Sequence, residues 1–254
     1  NEEHIVMLVL MQYEDLDYRQ AVHFIELLRN EIGLCRIPHF TTINKFALRI
    51  KQTYLEMIIA RMVKSDESSL LDIDGTGFSL NTRSTYFCTI AGEKNQFMQT
   101  NVAAEVRRRL ILAVKLRRKK RNENIDVPYL MKKSSKQLPI TAFLGDKAYD
   151  AEHHHEMAAN LGTKFIAPIK KMGKQGFKVR GNYRKKLAKK FPFEIYRQRV
   201  IVESIFSAVK RRFGHLLLAK RFNTQKNELL FRFIAYNSEK LVNLPFWRFT
   251  FYTA

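Results

Sequence analysis

Asp74, Asp146 and Glu203 stand in segments where a carboxylate has no ordinary packing role. Asp74 lies in the apolar run Leu71-Asp72-Ile73-Asp74-Gly75-Thr76-Gly77, and Asp146 closes another, in Leu144-Gly145-Asp146-Lys147-Ala148-Tyr149-Asp150. Glu203 lies on a helix-length stretch from Phe193 to Phe213. A charge at the end of an apolar strand is costly to bury without a partner. Acids at the ends of two adjacent strands, met by a third from a helix packed on the sheet, make an oxygen-rich site suited to Mg²⁺ or Mn²⁺. Two such ions about 4 Å apart can activate an attacking oxygen and stabilise the leaving oxygen of a phosphodiester. Asp72 competes with Asp74, because alternation puts positions 72 and 74 on one strand face. Asp150 and Glu152 compete with Asp146, but their place at the following helix favours caps or surface charges. His153, His154 and His155 point about 100° apart on a helix, so they cannot share one ion and are expected at the surface.

Glu203 also belongs to a polar register. Tyr196, Arg199, Glu203 and Lys210 follow the spacing Y-x2-R-x3-E-x6-K. On an ideal helix all four fall within about 60° of circumference. Val202, Ile205, Phe206, Val209 and Phe213 form an apolar face beside them. One helix over Phe193 to Phe213 is therefore expected, with one side buried and one carboxylate and two cations at its edge. Arg199 and Lys210 suit phosphate contacts, and Tyr196 suits stacking on a base or positioning a phosphate. Lys147, beside Asp146, and Arg211, beside Lys210, join them as DNA-binding candidates.

The elements that must position these residues follow from apolar periodicity. Residues 1 to about 64 suggest helices. Asp17 can cap one that turns Ala21, Phe24, Ile25, Leu27 and Leu28 toward a core, with Gly33 placed to end it. Thr41 and Thr42 can cap another, through Ile43, Phe46, Ala47, Ile50, Tyr54, Leu55 and Ile58. Such a pair suits either a DNA-binding helix-turn-helix or plain packing. Ser65 to Ser69 is polar and linker-like. Strands are expected at Leu70 to Leu80, ending near Gly75 and Gly77, and at Phe97 to Ala104, Leu110 to Leu116, Pro139 to Leu144 and Phe165 to Ile169. Helices are expected at Ile125 to Lys133 and Tyr149 to Leu161, and an amphipathic one at Glu228 to Leu244. This order gives an α/β layered domain with mixed strand directions.

Charge narrows the partner. Lys and Arg outnumber Asp and Glu by 45 to 24, a net charge of +21. That excess favours a polyanion, nucleic acid before an anionic membrane. Lys115 to Arg121 and Lys170 to Lys190 concentrate it; the second stretch has no acid and is expected to be an exposed insertion. No apolar run reaches the roughly 18–20 residues needed to span a bilayer. Asn1 to Leu10 lacks a signal-peptide pattern. Cys35 and Cys88 give no disulfide framework, and Cys35 with His39 lacks a second pair to complete a zinc site. The aromatic tail Pro245 to Tyr252 is expected to pack on the core or on a second subunit.

These residues resemble those of the DDE transposases of bacterial and archaeal insertion sequences, in the group defined by the Tyr-Arg-Glu-Lys signature. Tyr196, Arg199, Glu203 and Lys210 match that spacing in full. Asp74-Gly-Thr-Gly-Phe resembles the family's first-aspartate strand, and Gly145-Asp146-Lys-Ala-Tyr-Asp its second-aspartate segment. Arg199 through Gly214 resembles its glutamate helix. The resemblance covers about residues 70 to 242, with a weaker echo at Ile37-Pro-His-Phe-Thr-Thr-Ile. It implies a ribonuclease H-like mixed sheet flanked by helices, with an N-terminal all-helical region. Residues 1–66 would be that region, and 67–254 the catalytic domain with a basic insertion at about 169–192. It also implies Asp74, Asp146 and Glu203 as ligands of two Mg²⁺ or Mn²⁺ ions.

The implied reaction has two steps. Water cleaves the phosphodiester at each transposon end and frees a 3′-OH, which then attacks target DNA directly. Two ends processed together imply a homodimer on DNA, with no membrane. The location implied is cytoplasmic and nucleoid-associated in a prokaryote, or nuclear in a eukaryote. The rival readings are a related nuclease that cuts without joining and a domesticated DNA-binding protein without activity.

Overall fold

Asp17 begins the second helix as its sequence requires. Its carboxylate accepts from the Arg19 and Gln20 amides, both at 2.8 Å, and its own amide donates to the Gln20 side chain at 3.0 Å. This reciprocal cap satisfies amides that have no partner inside a helix. The computed structural model describes residues 2–34, 36–80, 90, 96–170 and 179–243. Cys35, Cys88, the middle of the Lys170–Lys190 stretch and the aromatic tail lie outside the described residues. The chain divides into two compact units, and neither is one continuous segment. One contains Asn1–Ile59, Ser79–Gln96 and Val209–Ala254; the other contains Ala60–Phe78 and Phe97–Ala208. The division expected from the sequence near residue 66 lies shortly after the passage from the first unit to the second at residues 59–60.

The first unit is mostly helical in its described residues, with one β-bridge between Ser79 and Leu216. It is built on α1 (Glu2–Tyr13), α2 (Tyr18–Leu27), α3 (Phe40–Arg49), the start of α4 (Gln52–Val63) and, late in the chain, a long terminal helix, Phe222–Val242. Ala21 and Ile25 of α2 are buried as expected, but Leu27 is 83% exposed, because α2 ends there and the chain turns toward Gly33. Gly33 adopts φ +66°, a conformation that glycine takes without strain. The single helix expected from Thr41 to Ile58 is two. His39, not a threonine, caps α3 by accepting from the Thr41 amide, and the chain is extended at Ile50 before α4 begins. Asn227 compensates for the break by donating to the carbonyls of Ala47 and Ile50, at 3.3 and 3.1 Å. The terminal helix is not amphipathic over its middle: every residue from Leu229 to Asn237 is buried, and the helix packs against α1 and α3. Arg232 is buried with the rest because its guanidinium donates to Gly214 O, Leu216 O, Glu228 and Gln12.

The second unit carries a five-stranded sheet in the order β3-β2-β1-β4-β5. The strands are β1 (Ser69–Ser79), β2 (Phe97–Glu105), β3 (Leu110–Arg117), β4 (Ile140–Gly145) and β5 (Lys164–Ile166). β2 and β3 pair antiparallel, while β4 pairs parallel with both β1 and β5, so the sheet is mixed. β1 does not end at its glycines but runs through Gly75 and Gly77 to Ser79. The helices of this unit are α5 (Val127–Ser134), α6 (Glu152–Asn160), α7 (Asn182–Lys189) and the greater part of α8 (Val200–Phe213); the terminal helix is α9. α5 lies against β2 and β3, and α6 against β5. A mixed five-stranded sheet flanked by helices, together with N-terminal helices, is the architecture expected of a ribonuclease H-like chain.

The helix expected from Phe193 to Phe213 is interrupted. A single α-turn, Phe193–Tyr196, passes into a tighter 3₁₀ turn, Arg197–Arg199, before α8 starts at Val200. Glu203 and Lys210 share the regular helix, but Tyr196 and Arg199 precede it. The ideal stripe of 100° steps therefore does not extend to them.

Candidate active site

The β1–β4 register runs up to two of the acids. Asp72 lies opposite Leu144, and Ile73 opposite Gly145. The paired register ends there, and Asp74 and Asp146 each follow its last pair by one residue; the charge of Asp146 acts on Asp74. Asp146 then caps a 3₁₀ turn, Lys147–Tyr149, by accepting from the Ala148 amide at 2.7 Å. Asp74 accepts from the Gly75 amide at 2.8 Å. Its other oxygen meets Arg199 Nη2 at 3.3 Å, and the same nitrogen lies 2.9 Å from Glu203 Oε1. One guanidinium thus joins the strand carboxylate to the helix carboxylate.

Asp72 has a different task. It is fully buried, and its Oδ2 accepts from the Val202 amide at 3.3 Å. That amide belongs to the first turn of α8, where the helix itself supplies no acceptor. The bond docks the start of α8 on β1, one residue before Glu203. The second oxygen of Asp72 has no hydrogen-bond partner. Burial pushes the Asp72 carboxyl up to about 8, against the pull of the Val202 amide and of Arg199. Burial likewise raises Asp74, to about 6; the Gly75 amide and Arg199 lower it, and the charges of Asp146 and Glu123 raise it. Two carboxyls on one strand are therefore held well above their ordinary range, chiefly because burial penalises their charged forms.

The other expected site residues are placed as follows. Tyr196 packs with Phe191, ring centroids 5.1 Å apart, against the Ala142–Leu144–Ile166 cluster. Lys147 is exposed beside Asp146. Lys210 and Arg211 lie on the later turns of α8, beyond Ala208 where the second unit ends. Lys210 is half-buried, which lowers its pKa, and Arg211 is exposed.

Several sequence expectations are corrected here. His154 and His155 are buried, and only His153 is exposed. The ring nitrogens of His154 face Tyr149 O at 2.8 Å and Asn124 O at 3.2 Å, and Phe165 packs beside both buried rings. Burial lowers both pKa values, and both rings are packed into the interior of the unit. Asp150 is not a surface charge: it is buried and takes Arg184 at 2.6 and 2.7 Å and the Lys170 amide at 2.6 Å. Glu152 accepts from the first amides of α7, those of Tyr183 and Arg184. These two acids fasten the basic helix α7 to the rest of the unit. In the other basic cluster Arg117 is spoken for, since it grips buried Asp126 at 2.8 and 3.0 Å. Glu123 and Tyr149 also border the site, and sequence reasoning passed over both.

Mg²⁺ or Mn²⁺ would find hard oxygen donors here, and the raised carboxyls mark a place where a cation lowers the cost of charge. Among the described residues, however, no three acids, histidines or cysteines stand together ready to hold an ion. Arg199 fills the gap between Asp74 and Glu203. The donor set fits a hard cation in kind.

A family model for the transposase DDE domain matches residues 65–238, more than half of the chain. The chain belongs to this family. The match spans the whole β-sheet together with α5 to α8, so the DDE domain contains all three acids. No curated protein matches the chain. Membership carries DNA as the macromolecule acted upon and a transposase or nuclease class of enzyme. Among the described residues of this DDE transposase chain, no helix is long and apolar enough to cross a membrane.

Proposed function

We propose that this chain is a DNA transposase of the Tyr-Arg-Glu-Lys signature group, cleaving transposon ends and joining the freed 3′-OH to target DNA. The observation that supports this reading is the Arg199 guanidinium, which joins Asp74 to Glu203, with the charge of Asp146 also acting on Asp74. Asp74, Asp146 and Glu203 are the proposed ligands of two Mg²⁺ or Mn²⁺ ions. Bound there, such ions would supply Lewis-acid activation of the attacking oxygen and charge compensation at the leaving oxygen of an in-line displacement at phosphorus. Cleavage and joining are both displacements of this kind, so one site serves both. Asp72 fixes the approach of α8 to β1 and with it the position of Glu203. Arg199 exchanges its carboxylate partners for a DNA phosphate as the acids close on their ions. Lys210, Arg211 and Lys147 are further proposed phosphate contacts, and Tyr196 orients the strand near the cut. Two ends handled together call for a homodimer on DNA. Residues 1–66 and the basic stretch at about 169–192 are proposed to bind DNA outside the reacting bond.

The test uses Asp74→Ala, Asp146→Ala and Glu203→Ala. Each variant is expected to lose cleavage of element ends in Mg²⁺ while still shifting end DNA in a gel. Undiminished cleavage removes that residue from the site. Joining of a pre-cut 3′ end to plasmid DNA by the unaltered protein separates a transposase from a nuclease that only cuts.

A further inference from the structure

Glu123 occupies a position that neither packing nor charge pairing accounts for. It opens a 3₁₀ turn, Glu123–Ile125, between β3 and α5, capped by Asn122, whose side chain accepts from the Asn124 amide at 3.1 Å. Two further contacts clamp this turn to the one that follows Asp146. Asn124 Nδ2 donates to Ala148 O at 2.9 Å, and the buried His154 ring lies between Asn124 O and Tyr149 O. The clamp fixes Glu123 at the edge of β1 where Asp74 and Asp146 lie.

The carboxylate itself is held at one oxygen and crowds Gly75 with the other. Tyr149 Oη, on a buried ring, donates to Oε2 at 2.9 Å. Oε1 and the carboxyl carbon both lie 2.7 Å from the point where a Cβ on residue 75 would stand. Position 75 must therefore be glycine for the carboxylate to lie across the Asp74–Gly75 backbone. Asn101 crowds the same point: its Oδ1 is 2.5 Å from it, is buried, and has no hydrogen-bond partner, while its Nδ2 is taken by Asp126 at 2.7 Å. An unpartnered buried oxygen thus faces the same spot as the carboxylate. Among the described residues no Lys or Arg pairs with Glu123, although the chain has nearly twice as many cations as acids. Asp74 has Arg199 as its counter-ion, but Glu123 brings a further negative charge to the same spot without one, and a bound cation would offset it.

We propose that Glu123 is a fourth carboxylate of this centre, closing with Asp74 and Asp146 on a divalent cation for which the three do not stand ready in this structure, with Tyr149 as its positioning residue. This rests on the metal-dependent reading of the site given above. Glu123→Gln keeps an oxygen for the Tyr149 hydroxyl and removes the charge, so it separates ion holding from structural support. Tyr149→Phe does the reverse: it keeps the charge and releases the carboxylate.

The experiment is a Mn²⁺ titration of the DNA-free full chain, read as the rise in thermal midpoint, for the unaltered protein, Glu123→Gln, Tyr149→Phe and Asp74→Asn. Glu123→Gln is expected to need about tenfold or more Mn²⁺ for the same rise, with its midpoint in EDTA close to that of the unaltered protein. Tyr149→Phe is expected to fall between the two. A Glu123→Gln titration that overlays the unaltered one, while Asp74→Asn loses its response, overturns the role of Glu123 and leaves the three-acid centre intact. No Mn²⁺ response in any of the four proteins overturns the metal centre and the role of Glu123 with it.

Discussion

Replacing Asp72 by Asn should make the protein more stable at alkaline pH, although the substitution removes a buried hydrogen-bonded carboxylate. In the fold the Asp72 carboxyl is raised from 3.8 to about 8, chiefly by burial. A raised carboxyl keeps a proton that the unfolded chain releases, so its penalty is absent below about pH 4 and grows as pH rises, levelling off above about 8. Each unit of pH in that window is worth about 1.4 kcal/mol. Between pH 5 and pH 8 the penalty therefore grows by about 4 kcal/mol, or nearer 2 kcal/mol if water and Arg199 rearrange to ease the charge. Asparagine has the same shape, offers its oxygen to the Val202 amide, and cannot ionise. Its amide leaves a buried donor near the present unpartnered oxygen, a cost of about 1–3 kcal/mol that does not change with pH. Urea unfolding of both proteins in EDTA, from pH 5 to pH 9, isolates the effect because the net charge of +21 acts on both nearly alike. The variant is expected to be the less stable at pH 5 and to gain steadily on the unaltered protein up to about pH 8. Parallel stability curves, or a variant that loses ground as pH rises, would refute the assignment of a protonated, buried Asp72.

Two further outcomes follow from the same physical arguments. Asp74 is raised to about 6, so a divalent ion must displace its proton below that pH; Mn²⁺ affinity is expected to drop about tenfold per unit as pH falls from 6 to 5, and a flat affinity from pH 5 to pH 7 contradicts this. Arg232→Met should destabilise the chain by about 3–5 kcal/mol, because Glu228 and the Gly214 and Leu216 carbonyls lose a buried donor. A loss below about 1 kcal/mol in urea unfolding would show that those groups are already solvated.

The three acids were legible because each sits against a strong local pattern. An apolar run interrupted by Asp74, another closed by Asp146, and a 3.6-residue apolar period around Glu203 survive without any knowledge of long-range contacts. What escaped was decided by partners far away in sequence. The break between α3 and α4 is stabilised by Asn227, about 180 residues later in the chain. The burial of His154 depends on the carbonyl of Asn124, and that of Asp150 on Arg184. Glu123 lies in a polar Asn-Glu-Asn run beside a basic cluster, which locally suggests solvated loop. Its place is set by Tyr149 and by the missing side chain of Gly75. The stripe from Tyr196 to Lys210 failed in part for another reason. The 100° rule assumes a regular helix, and the tighter turn at Arg197–Arg199 departs from it. The acid–guanidinium contact survives that departure because Arg199 is long enough to reach both carboxylates.

The interleaving of the two units gives the polypeptide an unusual indivisibility. The chain passes from one unit to the other near residues 59, 78, 96 and 208, so no single cut releases either of them whole. A fragment starting at residue 67 would carry α9 without α1 and α3, and the buried middle of α9 would face water. Removing the first 66 residues to obtain a minimal catalytic piece would instead expose an apolar helix at its far end. A piece of this chain that keeps α9 covered must keep α1 and α3 with it, and both lie within the first 66 residues.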